Sequence, residues 1–162
     1  MKKKGQLQIS FGMIFSIILI IAFIGVAIYV ITIFLGIQRC GQIGNFYAGL
    51  QESVENAYRS PETSDDLSFS MPSKVEYVCF IDVERAPRGP MASIHEELSW
   101  INRNLVIHPK TDCSGLGGFD LAKIDIKELT STENPFCIKT SRGKINLRVE
   151  KGLYDKSVKI IR

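Results

Sequence analysis

The sequence predicts an α+β protein in which a long N-terminal transmembrane helix continues into an amphipathic helix packed on a small antiparallel β-sheet domain. Two observations lead to this prediction. No charged residue occurs from Gly5 to Gln38, and most residues there are Ile, Phe, Leu or Val. Beyond that stretch, apolar residues first recur at helical spacing and then alternate with polar residues as they do in β-strands.

The uncharged stretch is long enough to cross a membrane, because about 20 apolar residues span a hydrocarbon core of ~30 Å. Lys2, Lys3 and Lys4 precede it, whereas Arg39 is the only basic residue close to its other end. The positive-inside bias therefore predicts a single-pass protein of the cell membrane, with a cytoplasmic N-terminus and residues 40–162 outside the cytoplasm. The apolar run is longer than that of a secretory signal and lacks an A-x-A-like site, which favours a retained helix.

The amphipathic helix is predicted over residues 39–60, directly after the transmembrane helix. Its apolar residues recur at spacings of three and four, and the pattern stops at Ser60-Pro61, where proline ends a helix. The predicted apolar face consists of Ile43, Phe46, Tyr47, Leu50, Val54, Ala57 and Tyr58.

Residues 61–162 are predicted to form one α+β head domain with an antiparallel sheet. Ser60 to Ser73 reads as a polar loop. Trp100 lies among apolar neighbours and is interpreted as a core residue. Ser141-Arg142-Gly143 separates two alternating segments and predicts a hairpin. The expected strands are residues 75–84, 105–107, 119–126, 136–140, 144–149 and 153–161, with a short helix near 93–103.

Four cysteines lie beyond the apolar stretch: Cys40, Cys79, Cys113 and Cys137. No C-x-x-C pair occurs among them, so the spacing does not favour a zinc site. An even number of cysteines in an exported domain predicts two disulfides. Three connectivities are open from the sequence; packing of the helix on the strand that carries Cys79 favours Cys40 with Cys79, which leaves Cys113 with Cys137.

No motif in the sequence indicates catalysis, so we expect neither an enzyme nor a bound cofactor or metal. Only two histidines occur, His95 and His108, and the patterns His-Glu-x-x-His and Gly-x-Ser-x-Gly are absent. His95 is interpreted as a surface helix residue and His108 as the end of a strand. The formal net charge of +3 depends on the N-terminal lysines and Arg39, so it reflects topology and does not predict a nucleic-acid partner.

The N-terminus, Lys2-Lys3-Lys4-Gly5-Gln6-Leu7 followed by the apolar helix, resembles the class III signal peptide of archaeal type IV pilin-like proteins. The resemblance implies that a prepilin peptidase cuts between Gly5 and Gln6, after the basic Lys4. Residues 1–5 would then be the leader and residues 6–38 the transmembrane helix.

The same resemblance implies how the chain assembles. Pilin-like subunits bundle their apolar helices into a filament core, so the implied partners are membrane lipid, further copies or other pilin-like subunits, and the peptidase. Many such pilins carry Glu at the fifth mature position, where this chain has Ser10.

Two functions are therefore expected. The first is a pilin-like, membrane-anchored surface or filament subunit with a structural or adhesive role. The second is an unprocessed single-pass membrane protein that displays an extracytoplasmic binding or complex-subunit domain. They differ in the first residue of the mature chain, which is Gln6 in the first case and Met1 in the second.

Overall fold

The computed structural model describes residues 11–162, so the predicted leader and processing site lie outside the described residues. One long helix precedes two small antiparallel sheets, which confirms the α+β prediction. The helices are α1 (Phe11–Arg59), α2 (His95–Ser99) and α3 (Ile126–Leu129), with a 3-10 turn (Ala92–Ile94) before α2. The strands are β1 (Thr63–Ser70), β2 (Tyr77–Phe80), β3 (Leu105–His108), β4 (Gly118–Phe119), β5 (Phe136–Lys139), β6 (Lys144–Lys151) and β7 (Lys159–Ile161).

The chain forms two compact units, divided between Gln38 and Arg39. The described part of the first unit, residues 11–38, is called the apolar segment here, and Arg39–Arg162 is called the head. The large side chains of the apolar segment are all exposed. A helix that is apolar on all sides is typical of a membrane span or of the centre of a large protein. Among the described residues, α1 is the one helix long and apolar enough to cross a membrane.

Within the head, α1 buries the face that the sequence pattern predicts. The buried residues are Ile43, Phe46, Tyr47, Leu50, Val54 and Ala57. Tyr58 is the exception, because 37% of it is exposed. Its ring instead receives the ammonium groups of Lys123 and Lys151, which lie 4.7 Å and 5.6 Å from the ring centroid. The helix ends at Arg59, immediately before Ser60-Pro61, as the proline predicts.

The two sheets share one core with this face of α1. One sheet has the strand order β1-β6-β7 and the other has the order β4-β3-β2-β5. Inward side chains of both sheets, such as Val78 and Phe80 from β2 and Leu147 from β6, join Phe46 and Leu50 in a single apolar cluster. The opposite face of the four-stranded sheet is covered by Leu98 of α2 in a second, smaller cluster. That sheet is therefore packed on both faces.

The segment that we predicted as a polar loop forms strand β1, so that prediction is wrong. β1 pairs with β6 over its whole length, from Thr63 opposite Lys151 to Ser70 opposite Lys144. Only Leu67 and Phe69 point towards the core, so the strand carries too few apolar residues for the alternation to be visible. The outward face is supported by Arg148, whose Nε and Nη2 donate to the Asp66 carboxylate at 2.7 Å and 3.1 Å.

The predicted hairpin at Ser141-Arg142-Gly143 is also wrong, since its two arms belong to different sheets. β5 pairs with β2, whereas β6 pairs with β1 and β7. Only an isolated bridge joins Ser141 to Lys144 across the turn. The chain reverses here as the glycine predicts, with Gly143 at φ +71°, but it also changes sheet. The strand predicted over residues 119–126 is wrong beyond Phe119, where β4 ends. Asp125 instead caps α3 by accepting from the amides of Lys127 and Glu128.

All four cysteines form disulfides, but the pairing favoured from the sequence is wrong. Cys79 bonds Cys137 and Cys40 bonds Cys113. Cys79 and Cys137 lie directly opposite each other in the β2–β5 pairing, so the sheet register itself brings them together. Cys79 lies in the cluster on the α2 side of the sheet, facing away from α1. Cys40 is therefore left to bond the loop between β3 and β4.

The packing of α1 in the head predicts that a Leu→Ala substitution lowers the free energy of unfolding much more at a buried position than at an exposed one. Leu50 is 0% exposed and Leu153 is 60% exposed. We expect Leu50→Ala to lower the free energy of unfolding by about 2–5 kcal/mol, because it leaves a cavity in the shared core. The matched control Leu153→Ala should change it by no more than about 0.5 kcal/mol.

Urea denaturation of the full chain in detergent micelles, followed by circular dichroism of the head, measures both values. Equal losses in the two variants would contradict the assignment of Leu50 to the core.

Candidate functional site

The apolar segment is the first candidate functional element of the described chain. Two of its polar side chains bond within their own helix: Ser16 Oγ donates to the Gly12 carbonyl and Thr32 Oγ1 to the Tyr29 carbonyl, each at 2.8 Å. In hydrocarbon an unpaired hydroxyl costs several kcal/mol. These two hydroxyls therefore do not oppose insertion, and the segment can occupy lipid or pack against other apolar helices.

The candidate processing site, Lys4, Gly5 and Gln6, lies outside the described residues, as does Ser10. Their interpretation rests on the sequence resemblance.

The loop between β3 and β4 is fastened to α1 at several points. Besides the Cys40–Cys113 disulfide, the Tyr47 hydroxyl donates to the Leu116 carbonyl at 3.2 Å. The Tyr47 ring stacks on Phe119 at a centroid distance of 5.2 Å. Burial raises the pKa of Tyr47 well above its usual value, so the hydroxyl remains protonated and keeps this hydrogen bond at any physiological pH. The loop is thus held in place despite its glycines.

Trp100 contradicts its interpretation as a core residue, because 84% of it is exposed. It follows α2, where Leu98 already fills the space against the sheet. Trp100 lines an open groove of about 650 Å³, called the Trp100 groove here. The groove is lined by Glu97, Trp100, Ile101, Arg103 and Lys110, and by three glycines: Gly115 and Gly117 of the β3–β4 loop, and Gly118 at the start of β4.

The glycines keep the groove open on one side. A side chain at Gly118 would collide with Ile101 and Arg103, since its Cβ would lie 2.7 Å and 2.9 Å from their side-chain atoms. Gly115 has φ +76°, which favours glycine. The Arg103 guanidinium is paired with the Asp120 carboxylate. Glu97 and Lys110 therefore provide the remaining charges of the groove lining.

His95 is buried, with 8% exposed, so its interpretation as a surface residue is wrong. Its Nε2 lies 3.3 Å from Asn134 Nδ2 and 3.5 Å from the Asp82 carbonyl. Asn134 accepts from the Asp82 amide at 3.1 Å and donates to the Asp82 carbonyl at 2.9 Å. These contacts tie the loop after β2 to the segment before β5, which is a scaffolding arrangement. His108 ends β3 as predicted.

A smaller open cavity of about 330 Å³ lies beside β7 and α3. Its floor includes Phe136, over whose ring Arg162 lies at 4.6 Å. The Arg162 guanidinium also donates to Glu133 Oε2 at 2.7 Å. Lys159 also lines the cavity and lies 3.2 Å from Asp155 Oδ1, so both cationic side chains of the lining are already paired within the chain. Among the described residues no group of three or more His, Cys, Asp or Glu side chains is arranged to hold a metal ion.

The turn between β6 and β7 forms the most exposed apolar projection of the head. Tyr154 is 93% exposed and Leu153 is 60% exposed. Asp155 holds the turn, because its carboxylate accepts from the Gly152 amide at 2.9 Å and from Lys159 Nζ at 3.2 Å. The strand predicted over residues 153–161 is therefore wrong in its first part, because Leu153 and Tyr154 lie in this turn and β7 covers only Lys159–Ile161.

Comparison with protein-family models, with curated proteins and with solved structures yields no significant match for this chain.

The Asp155 contacts predict a pH-dependent stability. The hydrogen bond from the Gly152 amide, followed by that from Lys159, lowers the pKa of Asp155 below its usual value. A lowered pKa means that the carboxylate stabilises the fold in full above its unfolded-state pKa of about 3.9, and that this contribution is lost as the pH falls through the folded pKa. We expect Asp155→Asn to be less stable than the native chain at pH 7, and the difference to shrink below about pH 4.

Urea denaturation at a series of pH values measures this effect. Glu62→Gln is the matched control, since Glu62 is exposed in the turn between α1 and β1. A difference between Asp155→Asn and the native chain that stays constant down to pH 3 would contradict the prediction.

Proposed function

We propose that the chain is a pilin-like, membrane-anchored surface or filament subunit with a structural or adhesive role. The observation that carries the proposal is α1, a single helix of 49 residues whose first part is apolar and exposed and whose last part is buried in a β-rich head. A filament or surface subunit needs both parts, because its helix must insert into a hydrophobic environment and also form part of the core of a folded domain.

Assembly through the apolar segment is the structural half of the proposal. Lipid tails are as apolar as Leu, so helices associate in membranes through close packing rather than through hydrophobic burial. Gly12 and Ser16 form a small-xxx-small pair on one side of the segment, and the Ser16 hydroxyl bonds within its own helix. This pair offers a flat contact for a neighbouring apolar helix.

The proposed orientation places the N-terminus in the cytoplasm and the head outside it. The charge asymmetry around the apolar stretch supports this orientation. Both disulfides belong to the head, and disulfides persist in oxidising compartments. In this arrangement the prepilin peptidase would act at Gly5-Gln6 on the cytoplasmic side.

A second candidate is the unprocessed single-pass protein that displays a binding or complex-subunit domain. Ser10 favours it, because many pilins use Glu at the corresponding position. The exposed Trp100 also favours it, since tryptophan is enriched at binding interfaces. In this case residues 40–162 carry the whole function and the apolar segment is only an anchor.

Processing separates the two candidates. We expect the protein extracted from its native membranes to begin at Gln6, and Gly5→Arg to leave the chain uncut, because the peptidase of pilin-like proteins requires a small residue before the cleavage point. Intact mass together with N-terminal sequencing measures both. Ser60→Arg serves as the control for an added charge far from the site and should not affect cleavage.

A native chain that begins at Met1 would sink the pilin-like proposal and leave the display domain. A start well beyond Gln38 would exclude both, because neither a retained helix nor an anchor would then exist.

A further inference from the structure

Trp100 is the one tryptophan of the chain, and it lies at the surface in a concave setting. Its ring is 84% exposed, although tryptophan in folded proteins is on average well buried. The groove that it lines has a volume of about 650 Å³, which lies within the range of ligand pockets, about 300–1,000 Å³. This size favours a small ligand over a folded protein, which needs about 800 Å² of contact on each side.

The groove is preorganised because the segments that line it are fastened within the head. The β3–β4 loop is held at Cys113 by its disulfide and at Leu116 by the Tyr47 hydroxyl. Arg103 is fixed by its ion pair with Asp120. A site that is already ordered loses less conformational entropy when a ligand binds to it.

The charges of the groove lining cancel. Arg103 pairs with Asp120, and the remaining charges are those of Glu97 and Lys110. A cationic ligand would meet Lys110 and an anionic ligand would meet Glu97, so the lining favours neither sign. Glu97 Oε1 lies 3.9 Å from His108 Nδ1, which is beyond hydrogen-bond distance, so the carboxylate can still accept from a ligand.

An uncharged ligand that both donates and accepts hydrogen bonds fits this lining. Sugar hydroxyls donate to a carboxylate and accept from an ammonium group, so one sugar can bond Glu97 and Lys110 together. A sugar ring also has an apolar face of C–H groups, whose partial positive charge suits the negative face of the Trp100 ring. Gly115 and Gly117 border open space and add backbone N–H and C=O groups.

An extended peptide is the main competing ligand, and the sheet edge beside the groove is too short for it. β4 is the edge strand of the four-stranded sheet and covers only Gly118–Phe119. A peptide that adds a strand to a sheet depends on main-chain hydrogen bonds along such an edge. The groove therefore offers this kind of ligand little binding energy.

We propose that the Trp100 groove binds an uncharged saccharide, with Trp100 stacked on a sugar ring and Glu97 and Lys110 bonded to its hydroxyls. The inference rests on the adhesive role within the proposed function and names the class of ligand. It applies equally to the second candidate function, in which the head is a binding domain.

Trp100 itself reports binding, because the fluorescence of the one tryptophan can be excited selectively over that of the tyrosines. The full chain is kept in micelles of lauryldimethylamine oxide, a detergent without a sugar. It is titrated with neutral oligosaccharides of glucose, galactose, mannose and N-acetylglucosamine, and with sialyllactose as the acidic comparison. We expect at least one neutral oligosaccharide to shift the Trp100 emission to shorter wavelength in a saturable way.

Three variants and one control assign the effect to the groove. Gly117 lines the groove and its Cβ would meet open space, so Gly117→Leu should fill the groove and abolish binding without disturbing the fold. Glu97→Gln and Lys110→Met should each weaken binding roughly tenfold, because each removes a charged hydrogen-bonding group. Tyr154→Ala removes another exposed aromatic ring, outside the groove, and should leave the affinity unchanged.

A folded native chain whose emission responds to none of these saccharides, or to sialyllactose alone, overturns the inference. Binding that Gly117→Leu and Tyr154→Ala affect equally overturns it as well. The first residue of the mature chain decides the proposed function separately. A chain that begins at Gln6 and binds no saccharide keeps the filament role without this ligand. A chain that begins at Met1 and binds one keeps the saccharide site within a display domain.

Discussion

The head depends on one interaction, which is the burial of a single face of α1 by two small sheets. The three-stranded and four-stranded sheets contribute to one apolar cluster, and Phe46 and Leu50 of the helix lie in it. Apolar side chains from both sheets share this cluster with the helix, so loss of the helix face would uncover them. The Cys40–Cys113 disulfide and the Tyr47 hydrogen bond attach the long β3–β4 loop to the same helix. α1 is therefore the element to which the rest of the head is fixed.

The helix α1 has two parts whose side chains face different environments. The apolar segment exposes large side chains such as Phe23 and Phe34, whereas the part of α1 in the head buries one face and presents the other to water. A change in apolar pattern from all-round to one-sided marks the change of environment. This contrast between an exposed apolar segment and a helix face buried in the head is the observation on which a surface or filament role is proposed.

Periodicity predicted the element whose buried face carries a regular series of apolar residues, which is α1. The buried face of α1 was predicted residue by residue except for Tyr58, whose ring binds two lysines instead of the core. β1 was missed because its outward face is polar and its inward face offers only Leu67 and Phe69. The disulfide pairing was missed because it follows from the register that places Cys79 opposite Cys137, and register depends on contacts distant in sequence.

The surfaces proposed to function were the least predictable part of the chain. Trp100 lies in an apolar neighbourhood, yet Leu98 occupies the core position and Trp100 is exposed. The groove forms where α2 lies beside the glycines that follow β3. These two segments are separated in the sequence, so no local pattern predicts that they meet. His95 was predicted to be exposed but is buried, because Asn134 and Asp82 contact it from segments distant in sequence.

The claim most open to direct test is that the head lies outside the cytoplasm. Intact cells would be treated with a membrane-impermeant amine reagent, and labelled lysines would be identified by mass spectrometry. Exposed head lysines such as Lys110, Lys139 and Lys156 should react before lysis, as a display or filament role requires. Labelling of these lysines only after the cells are broken would place the head in the cytoplasm and contradict the account.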